Sequence, residues 1–369
     1  MTTHVCEICG EEFVLGEGGE IFDGKHLCMR CLNRETTVCE HCGGRVWNDD
    51  AVHGSFCAKC FDEYYTTCTG CGAVISREYA YYLERDEEYH DNPYCRRCYE
   101  SFNETIHDYY FKPDPIFYGT GKLFMGVEIE LDEDGEDDDN AETLLDIANF
   151  NNDHLYAKHD GSLDNGIELV SHPMTLEYHK NNMSWKDVLR KAIYLDYRSH
   201  QAMTCGLHVH INKSAFGNTT PEQEEVIAKL IFFYEKFWAE ILRFSRRTET
   251  QANRWASRYG GAISTCKNSL DNAKKAGLGR YTAVNLMNEN TVEFRIFRGT
   301  LRYTTFMATL EFVDCLCQMA MKFNDEVFQK MSWSDFVSDI DTEKYPELVD
   351  YLKSRRLYVN EPVQETEEI

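Results

Sequence analysis

Phe124-Met125-Gly126-Val127-Glu128-Ile129-Glu130-Leu131 alternates apolar and acidic residues. Strand side chains point to opposite faces in turn, so Val127, Ile129 and Leu131 share one face and Glu128 and Glu130 the other. Three later segments obey the same rule. GIELVS at 166–171 sets Glu168 opposite Ile167 and Leu169. CGLHVHIN at 205–212 sets His208, His210 and Asn212 opposite Leu207, Val209 and Ile211. TVEFRI at 291–296 sets Glu293 and Arg295 opposite Val292, Phe294 and Ile296.

One strand with an outward charged face is ordinarily just solvated. These four carry Glu, His and Arg with almost no Lys, Thr or Ser. If they share a sheet, Glu128, Glu130, Glu168 and Glu293 meet on one face and repel strongly unless cations sit between them. Two or more divalent ions would neutralise them. Oxygen-rich ligands with a histidine suit Mg2+ or Mn2+ better than structural Zn2+. His208 and His210 are not in an HExxH pattern, which disfavours a zinc protease. Arg295 and Arg298 supply rigid forks for carboxylate or phosphate. Arg298 has the wrong parity for that face unless the strand ends or bulges before Gly299. Carboxylate-held metal beside arginine is what phosphoryl transfer requires.

Around the strands the texture is helical. Thr220-Pro221-Glu222-Gln223 reads as a capping box opening a helix whose apolar residues recur from Val226 to Ile241. Ser184-Trp185-Lys186-Asp187 opens a shorter helix, and residues 304–323 give a third. Cys315 and Cys317 read as buried small residues, while Cys205 and Cys266 have no assigned role. The acidic run 132–139 reads as a solvated loop or an extra cation site. Lys112-Pro113-Asp114-Pro115 marks a boundary, because two prolines continue neither a helix nor a central strand. The expected organisation is a zinc module over 1–112, a catalytic domain over 113–357 and an acidic disordered tail over 358–369.

GVEIEL at 126–131, HDGSL at 159–163, GIELVSHPMT at 166–175, CGLHVHIN at 205–212 and TVEFRIFRGTL at 291–301 together resemble the amidoligase family of carboxylate–amine ligases, with the glutamine synthetase and γ-glutamylcysteine synthetase fold. The resemblance covers roughly residues 120 to 325. It implies an α+β domain: a curved antiparallel sheet backed by helices, with ATP and two or three Mg2+ on its concave face. It maps Glu128, Glu130, Glu168, His208 and Glu293 to metal ligands. His210 and Arg295 map to phosphate or acyl-phosphate contacts, and Arg298 joins them as a nucleotide contact. Asp160 and Ser162 fit a substrate or nucleotide loop, or equally an ordinary Asp-Gly turn. The implied reaction joins a carboxylate and an amine, on peptides or proteins, in bacteria or their viruses. A metal-dependent phosphohydrolase and a non-catalytic adaptor with a degenerate ligase domain are the rival readings.

Upstream, twelve of the sixteen cysteines lie in six CxxC pairs: Cys6/Cys9, Cys28/Cys31, Cys39/Cys42, Cys57/Cys60, Cys68/Cys71 and Cys95/Cys98. Two CxxC turns make one tetrahedral four-cysteine zinc site, so three structural Zn2+ use all twelve. Disulfides are the rival, but they belong to an oxidising compartment and the N-terminus has no signal-peptide pattern. Cys28/Cys31 can instead pair with Cys39/Cys42, and His26, His53 or His90 can replace a cysteine. The spacing resembles LIM-like zinc ribbons, from which it departs in using cysteine throughout. Such ribbons are structural modules, and a protein partner is the residual binding role.

Charge bounds the rest. The net charge of −25 divides into −11 over residues 1–112 and −14 beyond. Phosphate backbones and anionic membranes need clustered Lys and Arg, so neither nucleic acid nor a membrane surface is expected as partner. No apolar run is long enough to span a membrane, and the chain reads as cytoplasmic.

Overall fold

The computed structural model describes residues 2–82, 92–101, 105–261 and 264–358. His90 and the acidic tail lie outside them. The chain divides into two compact units, Met1–Asn103 with Tyr110–Lys112, and Glu104–Tyr109 with Pro113–Ile369.

The first unit repeats one plan. Each leading CxxC closes a tight turn: the carbonyls of Cys6, Cys39 and Cys68 accept from the N–H groups of Gly10, Gly43 and Gly72 at 2.8, 2.9 and 2.8 Å. Those glycines have φ of 76°, 70° and 69°, a left-handed backbone that a side chain disfavours. Each second CxxC opens a short helix. Cys28 caps Met29–Glu35, Cys57 caps Ala58–Tyr64, and Cys95 precedes Arg96–Ser101. Two-stranded hairpins, such as Gly19–Phe22 with Lys25–Cys28, carry the turns.

The second unit is built on one seven-stranded sheet. Its strands are β1 (Ile106–His107), β2 (Met125–Leu131), β3 (Leu155–Lys158), β4 (Ile167–Ser171), β5 (Gly206–Asn212), β6 (Val284–Asn285) and β7 (Thr291–Arg298), in the order β1-β3-β4-β2-β5-β7-β6. All pairings are antiparallel except the edge pair β1–β3, which is parallel and makes the sheet mixed. The α+β class of the sequence reading holds.

One sheet face is core. Val127, Ile129, Leu207, Val209, Ile211, Val292 and Phe294 are fully buried there. Helices Thr220–Lys236 and Tyr303–Lys322 supply Tyr234, Phe306 and Phe312 to the same apolar cluster. At about 1.5–3 kcal/mol per buried aliphatic or aromatic side chain, this face is what holds the carboxylates on the reverse side in place. Among the described residues no helix is long and apolar enough to cross a membrane.

Two helix readings shift. The capping box is Thr219 with Glu222 rather than Thr220 with Gln223, because Glu222 Oε2 accepts the N–H groups of Asn218 and Thr219 at 2.8 and 3.0 Å. The helix also stops at Phe237, whose φ of −106° and ψ of 34° start a second helix, Trp238–Ser245. The apolar period runs through that kink, so the pattern alone reads as one rod. Cys205, Cys266, Cys315 and Cys317 are all buried. Burial pushes the Cys266 thiol up to about 12 and Cys205 up as well, which leaves no thiolate nucleophile there.

Candidate metal and phosphate-handling site

The register brings the four charged strand faces together. Across β2 and β5, Glu128 faces His208; across β2 and β4, Glu130 faces Glu168; across β5 and β7, His210 faces Glu293. On one side of the sheet Lys158 of β3 faces Glu168, and at the opposite edge Asn285 of β6 faces Glu293. His208 Nδ1 lies 3.0 Å from Glu128 Oε2, and His208 Nε2 lies 3.6 Å from Glu130 Oε1. His210 Nε2 lies 3.0 Å from Glu128 Oε1 and 3.8 Å from Glu293 Oε1. Arg295 donates to Glu293 and approaches His208 Nδ1 at 3.5 Å.

A bulge settles the parity of Arg298. Leu207 pairs with Phe297 but Val209 pairs with Phe294, so β7 carries one extra residue. Phe294 and Phe297 are both buried as a result, and Arg298 comes opposite Gly206 on the carboxylate side. Arg247 pins the bulge, with Nε 3.0 Å from Ile296 O and Nη2 3.3 Å from Phe297 O. Gly206 is required here. A Cβ would sit 2.6 Å from His208 Nε2 and 3.1 Å from Arg247 Nη2, and the Gly206 N–H donates to Glu130.

The cluster is buried and electrostatically unbalanced. Glu130, Glu168, His208 and Glu293 are each at most 4% exposed. Burial raises the Glu168 carboxyl well above its ordinary value, and Glu128 adds to this while Lys158, 3.8 Å away, opposes it. Burial also raises Glu130, against the pull of His208. Burial works upward on Glu128 too, but the His210 and His208 rings hold it well below. On Glu293 burial is outweighed by His210 and Arg295, and the carboxyl is lowered. Burial lowers His210, but Glu128 and Glu293 outweigh it and the ring is raised. A divalent cation would offset the repulsion that raises Glu168 and add to the attraction that lowers Glu128 and Glu293.

The donor set fits such an ion. Glu128, His210 and Glu293 form one group whose ligand atoms lie within 4.8 Å of one another, and Glu128, Glu168 and His208 form a second. His210 Nε2 is buried without a hydrogen-bond partner although two carboxylates face it. Mostly carboxylate oxygen with one imidazole per group is a hard-cation set, suited to Mg2+ or Mn2+.

The loop residues are placed differently. Asp160 is half-buried, its Oδ1 accepting the Ser162 N–H at 2.7 Å, which is the Asp-Gly turn geometry. It is near enough to raise both Glu130 and Glu168. Ser162 is exposed. The acidic run has structural work: Asp132 is buried and accepts N–H groups of Glu133, Asp164 and Asn165 at 2.9, 3.1 and 2.8 Å. Asp137 caps the helix Asp138–Ala148.

Four residues escaped the sequence reading. Asn285 and Asn288 donate to Glu293 Oε2 at 2.7 and 3.1 Å and orient that carboxylate. Lys158 and Arg247 flank the cluster at its two ends. Lys158 was visible as the residue two beyond Tyr156 in LYAK, directly before HDGSL.

In the first unit three four-cysteine groups form as the sequence pairing expects: Cys6, Cys9, Cys28 and Cys31; Cys39, Cys42, Cys57 and Cys60; Cys68, Cys71, Cys95 and Cys98. The crossed pairing of Cys28/Cys31 with Cys39/Cys42 does not form. Cys9 and Cys28 sulfurs are 3.6 Å apart and those of Cys71 and Cys95 3.9 Å. A tetrahedron with bonds of about 2.3 Å has edges of about 3.8 Å, the zinc–thiolate geometry. His26 stacks on His4 at 4.6 Å and His53 tilts over Phe61 at 4.9 Å, so neither replaces a cysteine.

Residues 146–317 match a family model described as "Putative amidoligase enzyme". The match takes in four of the five motifs and begins after GVEIEL, whose strand the register nevertheless places at the centre of the site. It supports a ligase-type activity. A search of curated proteins gave no match.

Proposed function

We propose that this chain is an ATP- and Mg2+-dependent carboxylate–amine ligase. The observation that carries the reading is the single buried face on which Glu128, Glu130, Glu168, Glu293, His208, His210 and Arg295 converge. In this reading a substrate carboxylate oxygen attacks the γ-phosphorus of ATP, the bond to ADP breaks, and an acyl phosphate forms. An amine nitrogen then attacks the acyl carbon, phosphate leaves, and the amine gives up a proton. Glu128, Glu130, Glu168, Glu293 and His208 would hold the metal, which when bound would supply charge neutralisation for the phosphates. Asn285 and Asn288 fix the Glu293 carboxylate. Arg295 and His210 face the transferring phosphoryl group and stabilise its charge. Asp160, at the Glu130–Glu168 end, takes the amine proton. The substrates are peptide or protein carboxylates and amines, and the three cysteine groups hold Zn2+ in a module that docks the protein partner.

The test is Mg2+-dependent ADP release from the full chain, with and without candidate amines and carboxylates. Release stimulated by amine, with an amide product of the expected mass, supports the ligase. ATP turnover indifferent to every amine identifies a phosphohydrolase instead, and no ATP binding by calorimetry identifies an adaptor.

A further inference from the structure

Beyond the Arg298 end of the carboxylate face, Arg243, Arg246, Arg247, Arg298 and Arg355, with His200, line a basin of about 590 Å³. No carboxylate lines it. The chain carries 63 acidic residues against 38 Lys and Arg, so five guanidiniums around one basin is a sharp local reversal.

None of the five lies within ion-pair distance of a carboxylate among the described residues. Arg190, Arg198, Arg258 and Arg295 each do. The five are instead set by main-chain carbonyls or left open. Arg246 Nη2 donates to Arg298 O at 2.7 Å, Arg298 Nη2 to His200 O at 2.6 Å, and Arg355 Nη2 to Arg243 O at 2.8 Å. Such bonds orient a fork without supplying a counter-charge, and the carboxylate that acts on Arg247, Glu130, does so from beyond ion-pair distance. The charges act on one another: burial lowers Arg246, Tyr351 opposes this, and Arg298 and Arg355 lower it further, while burial pushes Arg247 down to about 10 against the pull of Glu130.

Helix capping accounts for part of this. Arg243 and Arg355 sit at the C-terminus of Trp238–Ser245, where the helix dipole favours cations. It does not account for Arg247, which is 8% exposed and lies against Gly206, or for Arg298, whose Nε is buried without a partner. These two join the basin to the carboxylate face, since Arg298 pairs with Gly206 across β5 and β7.

We propose that the basin is a subsite for a small multivalent oxyanion, held beside the reacting centre by Arg243, Arg246, Arg247, Arg298 and Arg355. The inference rests on the ligase reading only for the source of the ligand. Both proposed reactants carry one: a second carboxylate on the acid substrate, or the phosphates of ATP. Planar forks suit either.

The experiment is calorimetric titration of the full chain with glutarate and, separately, with ATP and Mg2+, at low and moderate salt. The variant is Arg243→Gln with Arg355→Gln, which spares the arginines pinned to β7. A second variant, Arg243→Glu alone, covers the case in which the double change unfolds; a melting temperature within a few degrees of the parent qualifies either. Affinity for one probe should fall at least about tenfold, and salt should weaken the parent more than the variant. Loss confined to glutarate assigns the basin to the acid substrate, and loss confined to ATP assigns it to the nucleotide. The proposal is overturned if neither probe binds the parent chain, or if affinities for both are unchanged in the folded variants. Amine-stimulated ADP release is read separately. Its absence with arginine-dependent anion binding intact breaks the ligase reading and leaves the subsite standing.

Discussion

The unit of cysteine repeats buries little apolar surface. One of its clusters holds Cys6, Phe13, Leu27, Cys28, Cys31 and Leu32, and another holds only Cys39, Phe56 and Cys60. The second unit buries one continuous cluster that runs along the chain from Ile106 to Leu357. Both units also gather metal-ligating groups. In the first, the ligands are the core: half the residues of the larger cluster are cysteines. In the second, the ligands lie on the opposite face of a sheet whose core is complete without them. Removing metal should therefore unfold the first unit and merely silence the second. On the proposed function, the same chemistry, ligands brought together by chain reversal, would be a folding device in one place and a reaction surface in the other.

The largest effect expected is from chelation. Stripping Zn2+ should abolish the structure of residues 2–82 and 92–101, read as loss of their amide protection in hydrogen exchange. The helices of the second unit should persist. A global loss of helix on chelation would break the comparison.

Next are the carboxylates. Glu128→Gln and Glu293→Gln should each lower amine-stimulated ADP release by about 10³-fold or more, the scale on which catalytic electrostatics act. Zinc content should stay near three per chain and the melting temperature should hardly move. If either variant unfolds the sheet, these residues are structural and the contrast with the cysteines fails.

A smaller change sharpens the same point. Gly206→Ala puts a methyl 2.6 Å from His208 Nε2, so the ring must move. Turnover should drop about 10- to 100-fold, as for lost support of a metal ligand, with a fold that survives. Asn285→Ala removes one of two amides from Glu293 and should cost about tenfold, the low end of that range, mostly as weaker Mg2+ affinity.

Much of this was legible in the sequence. Period-two alternation named Glu128, Glu130, Glu168, His208, His210 and Glu293, because alternation needs no knowledge of neighbours. CxxC spacing named all three cysteine groups. What alternation cannot carry is register. The bulge that turns Arg298 inward depends on Leu207 and Val209 of another strand, and Arg247 reaches it from 49 and 50 residues away in sequence. Asn285 and Asn288 belong to a short strand and turn with no period to read. The kink at Phe237 stays hidden because both helices present apolar residues to one core.

The smallest effect expected separates the units by pH. Glu311 is fully buried in the second unit, accepting from Lys180 Nζ and Leu348 N at 2.7 Å each. Burial, against the pull of Lys180, pushes its carboxyl up to about 7. Below the ordinary value of 4.5 both the folded and unfolded chain hold this proton, so its contribution to stability is fully present. Between there and about 7 only the folded chain holds it, and stability falls as pH rises, by at most about 1.4 kcal/mol per pH unit. Above 7 the contribution is gone. Glu311→Gln should remove this slope, seen as a smaller drop in the second unit's melting temperature between pH 5 and 7.5. The zinc unit should run the other way over the same range, because thiols must lose protons to bind metal and their sites tighten as pH rises. Opposite slopes in one chain, one of them cancelled by a single substitution, would tie each unit to its own source of stability. Parallel slopes would mean that the two share one.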